Sequence, residues 1–167
     1  VAFNLVPKIN ATGRLANANL GVKMFLDDNV DSILAEIENI NEERKDVTQD
    51  SLLKIIDDAK KLDSKYQCIV IYKEGLHEGV VGILASRLVE KFNKPCFVLT
   101  DSHGMAKGSA RSLGKINVYD LLNKQQHLLV KFGGHAGAAG LAIEIDNITK
   151  IQEAMHFDLI TNFKEED

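Results

Sequence analysis

Cysteine is scarce in this chain of 167 residues, and proline scarcer in effect, with only Pro7 and Pro95 to interrupt it. The two cysteines, Cys68 and Cys96, each lie in an apolar run that reads as a strand. Without CxxC spacing they make no zinc site, and they are expected as buried free thiols suited to a cytoplasm. No run of about 18 apolar residues is present, so no membrane-spanning helix is expected. The opening residues, Val1-Ala2-Phe3-Asn4, have neither a methionine nor a basic segment before an apolar core. They read as a chain already under way and not as a signal peptide. The five histidines, at 77, 103, 127, 135 and 156, have no Asp-x-Asp or paired-histidine companions. A two-metal phosphoesterase needs several such ligands converging. Neither a Ser-His-Asp nor a Cys-His arrangement is suggested, so this chain by itself does not read as able to cleave anything.

At 45% hydrophobic and 26% charged, the composition is that of a soluble globular protein. The length allows one ordinary domain plus an extension. The net charge of −4 argues against a general nucleic-acid coat, but the charge is uneven. Residues 1–26 carry Lys8, Arg14 and Lys23 with no acid, and 27–64 are strongly acidic. Residues 102–131 carry Lys107, Arg111, Lys115, Lys124 and Lys131 against Asp120 alone. A local basic surface can bind phosphate whatever the total charge.

Pattern divides the chain at about residue 64. Residues 1–16 read as a loop, with Pro7, Asn10 and Gly13 against a helix, followed by a short helix to Leu26. Ile33, Ile37, Ile40, Arg44, Val47, Ser51, Ile55, Ala59 and Leu62 recur at steps of three or four. They predict one long connector helix capped by Asn29 or Asp31, with Val47-Thr48 as the place for a break. The second part, 65–167, alternates strands and helices. Strands are predicted at 67–72, 95–100, 105–111 and 141–145, and helices at 79–92, 117–129 and 148–163. A turn at Ser102-His-Gly104 joins the middle two strands as a hairpin, and 133–140 reads as a glycine-rich loop. The fold class is therefore α/β, a mixed sheet flanked by helices and preceded by the long helix.

Four segments hold candidates for chemistry. In Lys107-Gly-Ser-Ala-Arg-Ser112, strand alternation puts Lys107, Ser109 and Arg111 on one face and Ala106, Gly108 and Ala110 on the other. That row is either a phosphate reader, with a point charge, a hydroxyl and a planar fork, or an ordinary exposed edge strand. In Phe132-Gly-Gly-His-Ala-Gly-Ala-Ala-Gly140, the four glycines Gly133, Gly134, Gly137 and Gly140 let the backbone approach a ligand. His135 among them is either a group that touches phosphate or assists proton transfer, or a surface histidine in a tight loop. Arg14 is either a phosphate clamp or a surface arginine. His77 precedes a helix start near Gly79 that favours an anion; alternatively Gly79 and Gly82 serve close packing and His77 caps the helix.

Taken together, PKINATGRL, LHEGVVGILASRLVEKF, AKGSARS and KFGGHAGAAG resemble the RecJ exonucleases of the DHH phosphoesterase superfamily in order and spacing. The last segment alone indicates only the DHH-associated domain, shared with oligoribonucleases, cyclic-dinucleotide phosphodiesterases and alanyl-tRNA synthetases. The resemblance implies a 5′-to-3′ exonuclease for single-stranded DNA, in repair and recombination. Its Mn2+ or Mg2+ ions would sit on an Asp-His-His catalytic domain outside this chain, reached through the long helix. By family position, Arg14, Ser109 and Arg111 match residues suited to holding the terminal phosphate, and His135 and its glycines match the loop facing the scissile region. Gly137 departs from the pattern, where a bulkier residue such as Met is common. The alternatives are a related phosphodiesterase acting on short RNA or cyclic dinucleotides, and a stand-alone binding module.

Overall fold

The computed structural model describes residues 5–162. The chain falls into two compact units, Val1–Ser51 and Leu52–Asp167, each with a core of its own.

The first unit is helical. Helix α1 (Leu5–Leu15) occupies the segment expected as a loop. Pro7 is tolerated because it sits in the first turn, where a missing N–H breaks no intrahelical bond. Helix α2 (Asn19–Leu26) packs back on α1, and a Cβ on Gly21 would lie 2.9 Å from Ile9 Cγ2. Met24, Ile33 and Ile37 form the core, with Leu5, Ile9, Leu20 and Leu34 around them.

Helix α3 (Val30–Asp63) runs for 34 residues without a break. The segment contains neither glycine nor proline. Thr48, expected as the weak point, donates from its Oγ1 to the Arg44 carbonyl at 2.7 Å, so its β-branch is accommodated. The buried stripe is Ile33, Ile37, Asn41, Thr48, Ser51, Ile55 and Ala59. Asn41 and Thr48 take the places expected for Ile40 and Val47, which stay half-buried. At the helix end Lys94 Nζ donates to the carbonyls of Asp63 and Tyr66 at 2.6 and 2.9 Å and pairs with the Asp63 carboxylate. A cation there offsets the partial negative charge of the last carbonyls.

The second unit is a five-stranded sheet in the order β1-β2-β3-β5-β4. Strand β1 (Ile69–Tyr72) crosses through helix α4 (Val81–Phe92) to pair parallel with β2 (Cys96–Ser102). Strand β3 (Met105–Arg111) returns antiparallel after a two-residue turn, His103-Gly104, with φ of 50° and 80°. Two positive φ values match the twist that a short hairpin needs. Helix α5 (Val118–Lys124) ends five residues earlier than its sequence pattern predicts. A short 3-10 turn leads into β4 (Leu129–His135), which pairs with β5 (Ala138–Ile143) before the closing helix α6 (Ile148–Asn162). The glycine-rich segment read as a loop is therefore the hairpin β4–β5. Glycine is depleted in strands, which hid it.

The sheet is covered on both faces. On one, Phe97, Leu99, Ala106, Ala110, Leu141 and Ile143 pack with Leu122, Ile151 and Met155. On the other, Ile69, Ile71 and Val98 are buried on the side of α4, whose Leu84, Ala85 and Leu88 are buried too. Edge strand β1 is secured by α6, where Gln152 accepts from the Val70 N–H at 2.8 Å and donates to the Cys68 carbonyl at 3.0 Å. Cys68 and Cys96 are free and buried, and burial pushes both thiols up to about 12, so they are inert. No described helix is long and apolar enough to cross a membrane.

Strand β3 lies so close to β2 that a Cβ on Gly108 would overlap the Val98 carbonyl oxygen. Gly108→Ala is expected to destabilise the protein by about 1–3 kcal/mol or more, since backbone and not a flexible side chain must yield. Urea unfolding of the two proteins measures it, and equal midpoints would contradict this close approach.

Candidate nucleic-acid interface

Register builds the site. Lys107 pairs with Ala142, and Ala142 with Lys131; Ser109 pairs with Gly140, and Gly140 with Gly133; Arg111 pairs with Ala138, and Ala138 with His135. Residues directly opposite in an antiparallel ladder point to the same face. The result is a three-by-three patch on the α4 side of the sheet, the face away from Phe97 and Leu99. Its first column is Lys107, Ser109 and Arg111, its middle column only Ala and Gly, and its outer column Lys131, Gly133 and His135.

The middle column is a low floor. Gly133, Gly140, Lys107, Lys131 and His135 are exposed, and Ser109, Arg111 and Ala138 are half-buried. A Cβ on Gly133 would meet nothing within 4 Å, so its glycine leaves open space and is not needed for packing. Lys107, Lys131, Gly133 and Gly140 line a concavity of about 250 Å³ here. Gly134 serves differently. Its φ of 148° and the Ala138 carbonyl, which a Cβ would overlap, require glycine, and its place is on the other face.

The charged side chains are held individually. Helix α4 crosses the patch side of β3, with Arg111 Nη2 2.8 Å and Ser109 Oγ 3.4 Å from where a Gly82 Cβ would be. Arg111 Nη1 donates to the Ala110 carbonyl at 2.8 Å. Lys107 Nζ lies 2.7 Å from Glu78 Oε2, and Glu78 also accepts from Ser102 Oγ at 2.9 Å. Hydrogen bonds from Lys107 and Ser102 hold the Glu78 carboxyl below its ordinary range. His135 Nδ1 accepts from the Gly137 N–H at 3.4 Å.

Of the residues expected from sequence, Lys107, Ser109, Arg111, Gly133 and His135 come together in this patch. His77 sits just before α4, where its Nδ1 accepts from the Gly79 N–H at 3.0 Å; the helix itself starts two residues later than expected and is capped by Val80 without a side-chain bond. Arg14 belongs to the first unit, exposed in the last turn of α1 and lining a cavity of about 720 Å³ with Gly13, Gly21 and Phe25. Sequence reading missed Lys131, Glu78 and Gly82 as members of the site. Lys131 was within reach, since Lys131, Gly133 and His135 show a period of two once the segment is taken as a strand. The sequence marked Gly82 only as a glycine for close packing; its neighbours Ser109 and Arg111 lie far along the chain.

Among the described residues no group of three or more His, Cys, Asp or Glu side chains could hold a metal ion. The donors present among the described residues do not fit Mn2+ or Mg2+.

The DHHA1 domain model matches residues 63–157, more than half of the chain. The chain therefore belongs to the DHHA1 domain family. Within that family the likeness is to RecJ. The chain is 32% identical over its whole length to the single-stranded-DNA-specific exonuclease RecJ of Bacillus subtilis, covering 22% of that protein. It is 35% identical over 92% of its length to RecJ of Escherichia coli, covering 29%. The crystal structure of RecJ in complex with Mn2+ from Thermus thermophilus superposes on 93% of the chain with a TM-score of 0.82 at 30% identity, over 23% of the larger chain. A second structure, exonuclease RecJ bound to manganese, gives 0.79 at 29% identity over the same 93%, and 39% of that chain. The chain thus spans roughly a quarter of the length of these curated relatives.

The Glu78–Lys107 pair sets a pH dependence. A carboxyl whose folded value is depressed contributes stability above its unfolded value and loses it as pH falls through the folded one. The stability difference between the native protein and Glu78→Gln is expected to stay constant above about pH 5 and to shrink below about pH 4. Both residues are half-exposed, so the difference itself is at most about 1 kcal/mol. Thermal melts of the two proteins from pH 7 to pH 3 measure it, and a difference that grew on acidification would reverse the assignment.

Proposed function

We propose that this chain is the substrate-holding part of a RecJ-type 5′-to-3′ single-stranded-DNA exonuclease acting in repair and recombination in the cytoplasm. The observation that carries the reading is the β3–β5–β4 patch, a row of Arg, Ser and Lys beside a floor of glycine and alanine. Successive residues on one strand face lie about 6.8 Å apart, so β3 offers three phosphate contacts in line. The low floor lets a sugar–phosphate backbone settle against the sheet. None of the nine patch positions is aromatic, and Phe132, which lines the concavity, packs against the core of the other face, so the patch reads backbone, not base. Such sequence-independent grip suits an enzyme that must degrade every sequence it meets.

In this reading Arg111 and Ser109 hold the terminal phosphate, Lys107 and Lys131 carry the following backbone, and Arg14, in the first unit, is a phosphate-binding candidate in its own right. His135 acts near the scissile phosphate in a supporting role, with Gly133 and Gly134 shaping its strand. His77 supports the approach to α4. The metal ions, Mn2+ or Mg2+, belong to a catalytic domain of the same protein outside this sequence. The chain orients the strand toward that domain, and orientation is among the larger sources of rate acceleration.

Degradation of a 5′-phosphorylated oligodeoxynucleotide by the full-length protein tests the reading. Arg111→Ala and Arg14→Ala are each expected to lower kcat/KM about tenfold or more, the scale of a lost charge-assisted hydrogen bond, and to weaken the preference for a 5′-phosphate. Undiminished activity in both variants would remove the clamp. A preference for dinucleotides or cyclic dinucleotides over long single strands would assign the protein to a different substrate.

A further inference from the structure

We infer that Gly82 is a positioning residue for Arg111: the side chain missing from α4 is the seat in which the guanidinium lies. This rests on the proposal that Arg111 holds phosphate, and adds what holds Arg111. Gly82 is the second residue of α4, which crosses β3 on the patch side. A Cβ there would come within 2.8 Å of Arg111 Nη2, 3.5 Å of Arg111 Cζ and 3.4 Å of Ser109 Oγ. No other atom stands nearer to that point. The glycine is thus not explained by backbone conformation, since Gly82 has none of the positive φ values found at Gly75, Gly104, Gly114 and Gly134. Nor is it explained by helix meeting backbone, because every atom in its way belongs to the two side chains of the phosphate row.

The seat limits how the fork can point. Arg111 Nη1 is committed to the Ala110 carbonyl at 2.8 Å, and Nη2 is turned toward α4 over Gly82. A guanidinium is planar and its donors form a rigid fork. Displacing Nη2 therefore reorients every donor of the group. The obstructed atom is the far end of a flexible side chain, so an added methyl moves Arg111 and leaves the backbone in place. Alanine is also the better helix former. The inference accordingly predicts effects of opposite sign: a protein as stable as the native one, or more so, that grips phosphate less well. A packing glycine predicts that stability and grip fall together.

The test uses the full-length protein with Gly82→Ala, Arg111→Ala and the double variant. The readouts are thermal melting, fluorescence-anisotropy binding of a 5′-phosphorylated oligothymidylate, and binding of the same strand with a 5′-hydroxyl. Gly82→Ala is expected to melt at or above the native temperature, to lose about tenfold in affinity for the phosphorylated strand, and to discriminate less between the two ends. In the Arg111→Ala background the same change is expected to cost nothing further. Native affinity in Gly82→Ala overturns the seat while a loss in Arg111→Ala leaves the proposed function standing. Equal losses in both backgrounds also overturn it. If Arg111→Ala binds as the native protein does, the phosphate reading fails and the seat with it. If Gly82→Ala does not fold, the double variant decides: recovered folding supports the seat, and continued failure refutes it.

Discussion

Strand β3 must satisfy opposite demands at alternate residues, and the rest of the second unit is arranged around them. Ala106, Gly108 and Ala110 face the core, where even a methyl on Gly108 would strike the neighbouring backbone. Lys107, Ser109 and Arg111 face the other way, under and beside α4. Small residues on one side bring the strands and the core close. Long polar residues on the other side then need a helix with a gap and a neighbouring floor without side chains. Gly82 supplies the gap, and Gly140 and Gly133 supply the floor. A strand of seven residues thus determines which glycines the elements around it must carry.

The electrostatics follow the same division of labour. The protein is acidic overall, and its acids gather on α3, where several form exposed pairs such as Lys60–Asp57 and Lys61–Asp58. Pairs of this kind add a few tenths of a kcal/mol to a helix and little else. The nine positions of the patch contain no acid, only three cationic side chains and a histidine. Glu78 is held by Lys107 and Ser102 at the rim. Positive potential is local, set where a backbone would lie, and insensitive to the net charge.

Edges of the sheet are managed by different means. Beside β1, Gln152 from α6 takes the Val70 N–H and the Cys68 carbonyl. At β4 the strand is left open, with a register irregularity between Leu129 and Lys131 and a lysine on the exposed side. A bulge and a charge are the usual guards of an unpaired edge. The open edge belongs to the strand that carries Lys131, Gly133 and His135, so the guard and the candidate binding column share residues.

Much of this was legible in the chain before any coordinates. The period of α3 marked a helix of about the right length, and alternation placed Lys107, Ser109 and Arg111 together on one face. Local chemistry settles such features, because dihedral preference and side-chain period depend on near neighbours. The two misread segments failed for a local reason as well. Pro7 argued against α1 but falls in its first turn, where it breaks no helical hydrogen bond, and glycine argued against β4 until pairing with β5 overrode that preference. The register that lines up Lys131 with Lys107 and His135 with Arg111, and the fit of Arg111 over Gly82, were decided by the tertiary structure alone. They join residues tens of positions apart, and no single stretch of sequence carries the distance between two strands or between a helix and a sheet.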